Sequence, residues 1–156
     1  MTTRMSTRMS KPLHRRSLFH AGLAGALGAC ITPARACEFF STTMRIVHPW
    51  TRETAEDAES AIVCMVFEDV SRDDRLIAVQ TPVAKAAELG GELALPRVDF
   101  RIPGGVRSEL SERGTYVRLT GLLMPLDTGR AYPLTLMFEH GGEAQGLLTV
   151  NYARFL

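Results

Sequence analysis

"RGTYVRLTGLLMPL", residues 113–126, decides the fold class. Val117 and Leu119 alternate with Tyr116, Arg118 and Thr120, and side chains alternate between the two faces of a strand. The pattern predicts a half-buried strand with Val117 and Leu119 inward. Tyr116, Arg118 and Thr120 then share the outward face, which is either a plain solvated surface or the place of a working or former site.

Similar segments recur along the chain. Residues 43–48 read as a short strand stopped by His48-Pro49-Trp50, and residues 61–70 as a long apolar strand ended by the charged turn 71–74. Residues 75–80 resume the pattern. Residues 83–89 fit either a helical turn or a strand, before Gly90-Gly91 breaks the chain. Residues 106–110, 116–123, 133–140 and 146–152 complete the set, the last two joined by a glycine-bearing hairpin connection at 141–145. Short strands separated by turn signals predict an all-β sandwich of about seven to nine antiparallel strands. Val63, Phe67, Leu76, Leu119 and Leu136 are expected in its core.

Residues 1–36 stand apart. They hold six basic residues and no acid, then an apolar run over 18–29 that ends near Ala34-Arg35-Ala36. This is the plan of a secretory signal, and the run is too short to span a bilayer. Arg15-Arg16 fits twin-arginine export, with the general secretory route as the alternative. Met1, Met5 and Met9 are all possible starts. Leu27-Gly28-Ala29-Cys30 offers a second reading, a lipoprotein acylated on Cys30. Cleavage after Ala36 gives a domain over 37–156, of a size for one core. Removing the six cations from the chain's 18 leaves twelve basic against 17 acidic residues, so the domain carries a net charge of −5. That balance gives no case for nucleic acid or anionic lipid. No later stretch is apolar enough for a transmembrane segment. A soluble periplasmic product is expected.

No catalytic signature appears. His48 and His140 are the histidines after residue 36, and neither lies near a nucleophile motif. Asp57, Asp69, Asp73 and Asp74 read as solvated loop acids, and the Gly-Gly pairs sit in β turns rather than before helices. The chain is not expected to be an enzyme. Cys64 lies in an apolar run and reads as a buried free thiol, while Cys37 opens the domain.

Collinear stretches resemble the PCu(A)C-type periplasmic copper chaperones. "CEFFSTTMRIVHPWTRET" (37–54) is similar to that family's opening, with its His-Pro-Trp segment. "SAIVCMVFEDVSRDDRLIAVQTPVAKAAEL" (60–89) resembles its next strand pair, and residues 101–110, 113–139 and 147–153 continue the likeness. The resemblance implies a cupredoxin-like Greek-key β-sandwich and a role beside copper-handling or oxidase-assembly proteins. It also implies a Cu(I) site of His and Met, soft ligands that suit this ion. The ligand positions it assigns fall on Gly90, on residues 93–95, and on Tyr116 and Arg118. No residue there is a His or Met, the Gly90-to-Tyr116 interval is shorter than the family's, and a guanidinium repels a metal ion. No bound cofactor is therefore expected at this site, and Cu(I) enters by resemblance alone. Met65 and Met137 read as core fillers, Met124 and His140 as exposed. Cys37, His48, Met124 and His140 form the fallback ligand set, without the spacing of a known metal motif. Two functions remain. One is a divergent accessory member of the copper-handling family. The alternative is a metal-free interaction module that recognises a protein or small ligand through Tyr116, Arg118 and Thr120.

Overall fold

Alternating segments form strands within residues 38–151, the part of the chain that the computed structural model describes. The strands are β1 (Glu38–Phe40), β2 (Arg45–Arg52), β3 (Ser60–Glu68), β4 (Asp74–Gln80), β5 (Ala84–Gly91), β6 (Phe100–Ile102), β7 (Ser108–Leu110), β8 (Thr115–Leu122), β9 (Ala131–Phe138) and β10 (Gly142–Asn151). Among the described residues there is no helix. The strands run in the order β5-β8-β3-β2-β10-β9-β4-β6, with β1 added to β2 and β7 to β3. Strand β3 belongs to both layers: Ser60–Val63 pair with β8, and Met65–Phe67 with β7. This is the cupredoxin-like Greek-key sandwich, curled nearly into a barrel.

Several expectations need correction. Ten strands form rather than seven to nine, because β1 and β6 are three-residue pieces too short to show alternation, whereas β7 falls within the expected segment 106–110. Pairing is antiparallel except between β2 and β10, where Thr149–Asn151 lie parallel to Trp50–Arg52. Residues 84–89 are strand, after a turn at Pro82-Val83, and β5 continues through Gly90-Gly91 rather than breaking there. His48-Pro49 does not stop β2 but bulges it. Val47 faces Val66 and Trp50 faces Cys64, so three steps on β2 match two on β3. His48 takes a left-handed φ of 49°, and the proline falls at a bulge, where its missing N–H costs no ladder bond.

The core follows the predicted alternation. Val63, Phe67, Leu76, Leu119 and Leu136 are all buried, and the Phe67 ring lies 6.1 Å from those of both Phe100 and Phe138. Met65 is core, but Met137 is not. Leu134, Leu136 and Phe138 point inward, so alternation turns Met137 out to solvent. Asp74 is a second correction, being buried rather than a loop acid. The Thr43 hydroxyl donates to its Oδ2 at 2.6 Å, and the N–H groups of Arg75 and His140 donate to its Oδ1 at 2.8 and 2.9 Å. The carboxylate thus joins the start of β4 to the turn between β9 and β10. Burial pushes its pKa up, but these donors outweigh burial and hold it below the ordinary carboxylate value.

Candidate functional site

Strand β8 carries the two faces that its sequence sets. Thr115, Val117 and Leu119 are buried, while Tyr116, Arg118 and Thr120 are half-buried on the other side. Its neighbour β5 is antiparallel, placing Gly90 opposite Tyr116, Glu88 opposite Arg118 and Ala86 opposite Thr120. Gly90 has no side chain, and the Tyr116 ring lies across it. A Cβ at Gly90 would come 2.8 Å from the ring's Cζ and 3.0 Å from its Cδ2, well inside ordinary contact. Gly91 is fixed for another reason: its φ is 80°, and a Cβ there would run into the Gly114 carbonyl.

The charged groups on this face satisfy one another. Arg118 Nη2 donates to the Tyr116 hydroxyl at 3.2 Å, and its Nη1 to Glu88 Oε1 at 3.2 Å. The guanidinium carbon is also 5.8 Å from the Tyr116 ring centroid. The hydroxyl of Tyr116, then Glu88, raises the Arg118 pKa further, so the group is permanently cationic. Beside the trio opens a cleft of about 560 Å³, with Glu56, Asp57 and Glu59 on one side and Lys85, Arg118 and Thr120 on the other. Glu88 and the 56–59 loop are members of this surface that the sequence reading did not single out.

Other candidates lie apart. Leu93 and Leu95 are exposed and line a different groove, with Arg75, Asp99 and Arg101. His48 Nε2 sits 2.9 Å from Asn151 Nδ2, near the end of β10. His140 is exposed and adjoins the start of β10. Ten residues of strand separate those ends by roughly 30 Å, so the two histidines do not share an ion. Met124 is exposed after β8, and Cys37 lies outside the described residues. Among the described residues, no three His, Cys, Asp or Glu side chains are grouped to hold a metal.

The His-Pro-Trp-Thr-Arg segment has a packing role. Trp50 is the cross-strand neighbour of Cys64, on the face of β3 turned away from Val63 and Met65. The guanidinium of Arg52 lies 5.9 Å from the Trp50 ring centroid, and Arg52 grips Glu112 bidentately, with Nη2 to Oε2 at 2.7 Å. Beneath this cover the free Cys64 thiol is buried. Burial, then the nearby Glu112 carboxylate, pushes its pKa up to about 12.

The fold and this face can be set against known proteins. A family model described as "Putative lipoprotein LpqE-like" matches residues 44–150. The chain belongs to the LpqE-like family. Its fold is that of PCu(A)C domains, as the sequence resemblance implies. The copper-bound PCuAC domain from PmoF2 superposes with a TM-score of 0.67 at 25% identity, covering 73% of this chain and 97% of that one. The apo PCuAC domain from PmoF1 gives 0.67 and 25%, covering 73% and 98%. The Cu(I) form of DR1885 from Deinococcus radiodurans gives 0.57 at 20% identity, covering 67% and 76%, a likeness of fold alone. No curated protein matches the LpqE-like chain significantly.

Proposed function

We propose that this LpqE-like protein is an exported, non-enzymatic accessory protein of copper handling that does not carry Cu(I) at the position used by its copper-binding relatives. One observation carries the reading. Gly90, Tyr116 and Arg118, to which the resemblance assigns ligands, form a closed unit: ring over glycine, guanidinium on phenol and Glu88. Neither phenol hydroxyl nor guanidinium is a soft ligand, and the guanidinium offers no lone pair. The PCuAC domain of PmoF2 is copper-bound, which supports copper handling as the process. Oxidase-assembly or other copper-handling proteins are the proposed partners.

A second reading rests on the same face. Tyr and Arg are favoured at binding hot spots, and here Tyr116, Arg118 and Thr120 border an open cleft. On this reading the domain is a metal-free module that recognises a protein or small ligand.

Export to the periplasm with cleavage after Ala36 completes the proposal, with residues 37–156 as one domain. Acylation at Cys30 is the competing maturation, and the family description as a lipoprotein supports it. No helix among the described residues is long and apolar enough to cross a membrane.

Cu(I) uptake against a high-affinity chelator tests the copper claim. The unmodified protein is expected to take up none. The variant Gly90→His/Tyr116→His/Arg118→Met is expected to gain binding, and Leu93→Met to add little because Leu93 faces another groove. Stoichiometric, chelator-resistant copper in the unmodified protein overturns the reading.

A further inference from the structure

Two loops leave the sandwich side by side. Residues 53–59 join β2 to β3, and residues 123–130 join β8 to β9. Hydrogen bonds tie them together at two points. The Leu122 N–H donates to the Glu59 carbonyl at 3.1 Å. Four residues on, the Thr54 N–H donates to the Leu126 carbonyl at 3.1 Å, and the Leu126 N–H to the Thr54 hydroxyl at 2.9 Å. Between these ties, residues 55–58 and 123–125 stand next to one another. Leu126 is buried and anchors the second loop, whereas Leu123 and Met124 are 58% and 50% exposed. Exposed Pro82 adjoins them, because the Leu123 N–H donates to the carbonyl of the next residue, Val83, at 2.9 Å. Loop tips are ordinarily polar. An adjoining leucine and methionine at such a tip mark a contact surface, and methionine adapts readily to a partner's shape.

Charge selects the occupant. The loop beside the tip carries Glu53, Glu56, Asp57 and Glu59 and no base, and all four are exposed. Nearby cations are mostly taken: Arg130 pairs with Asp127 and Arg118 with Glu88. That leaves Lys85 against Glu56, Asp57 and Glu59 in the cleft they share. The apolar tip is thus bordered by net negative charge. A second copy of the tip, or an anionic lipid surface, would meet like charge there, whereas a cationic partner meets its complement. An apolar centre with a charged border is also the usual plan of a protein interface. We propose that Leu123 and Met124, with the 53–59 loop beside them, form a docking surface for a partner protein that presents an apolar stripe bordered by lysine or arginine. This goes beyond both readings of the Tyr116 face and depends on neither.

The probe is a labelled peptide of leucine and lysine patterned as an amphipathic helix. One control carries glutamate for lysine, the other serine for leucine. Binding to the exported protein is read by anisotropy, and its place by the methyl signals of Leu123 and Met124. The leucine–lysine peptide is expected to bind and to shift both signals, and each control to bind weaker by about tenfold or more. Leu123→Ser/Met124→Ser, at exposed positions, is expected to weaken binding about tenfold. Glu56→Gln/Asp57→Asn/Glu59→Gln, also at exposed positions, is expected to weaken it as well and to flatten its dependence on salt. Either variant serves alone if the other does not fold. No binding, equal binding of the three peptides, unchanged binding by the variants, or methyl signals that stay in place overturns the proposal. So does a dimer, or attachment to vesicles of phosphatidylcholine and phosphatidylglycerol, that Leu123→Ser/Met124→Ser abolishes, because either would give the tip a different occupant.

Discussion

Gly90→Ala measures how tightly the Tyr116 ring fills the space beside the glycine. The new Cβ would stand 2.8 Å from Cζ and 3.0 Å from Cδ2, whereas carbon atoms rest at about 3.5–4.0 Å. The ring must therefore retreat by the better part of an ångström. It is restrained by the Arg118 bond to its hydroxyl, and Arg118 is itself held by Glu88. Overpacking of this kind costs about 1–3 kcal/mol, and about 2 kcal/mol is expected here, a fall in Tm of roughly 6–12 °C for a domain of this size. In a Tyr116→Ala background the ring is gone. Alanine at position 90 is then relieved of its three nearest contacts, all with that ring, and recovers the 0.5–1 kcal/mol or so that glycine loses in a strand interior. The sign of the substitution reverses between backgrounds, giving a coupling of about 2.5–3 kcal/mol between two directly opposed residues. Denaturant unfolding of the four proteins, with m-values compared, reads this out. Equal effects of Gly90→Ala in both backgrounds would mean that the ring does not occupy the space. The case for a filled ligand pocket would then collapse.

Asp74→Asn is expected to cost about 2 kcal/mol, because three bonds to a buried carboxylate become bonds to a neutral amide. Since the folded pKa is depressed, the wild-type advantage should be complete above the unfolded value of about 3.9 and fade as pH falls below it. A deficit that stays constant down to pH 2 would refute that account. In a Cys30→Ser/Cys37→Ser background, Cys64 should resist an aromatic disulfide reagent at pH 8, since burial pushes its thiol up to about 12. Arg52→Ala, which removes the clamp on Glu112, should speed the reaction; immediate labelling of the folded parent would contradict the sealed position. Intact mass of the exported chain should match residues 37–156, and a diacylated chain starting at Cys30 would replace that maturation by the lipoprotein one.

Much of the fold is legible because alternation is a local property. Val117, Leu119, Val63 and Leu136 are placed correctly by a period of two, and no long-range fact is needed. Misreadings arise where a feature is not local. His48-Pro49 looks like a stop because a proline in a strand removes a donor, and only the register with β3 shows a bulge that makes the donor unnecessary. Met137 sits in a run of apolar residues, and its exposure follows from the same alternation that buries Leu136, a rule the run of apolar residues hides. Asp74 carries no signal at all. Its partner Thr43 is 31 residues away and His140 is 66 away, so one turn of the chain looks like any other charged turn.

The Glu88 carboxylate is different, because its role follows from the register of two neighbouring strands. Strand β5 sets Gly90 against Tyr116, which fixes the register of the pair. Moving two residues back on β5 and two forward on β8 sets Glu88 against Arg118, the pair the structure brings together. The four residues then follow from one another. An arginine on this half-buried face needs an acid across the strand, and a tyrosine two residues before it needs a glycine across the strand to lie on. Histidine at position 90 would strike the ring, and removing the arginine alone would leave Glu88 facing an uncharged neighbour. If these positions are read as ligand positions, no single substitution leads back toward a copper site without first breaking a satisfied contact. The face behaves as one unit, and experiments that change it one residue at a time will measure stability rather than function.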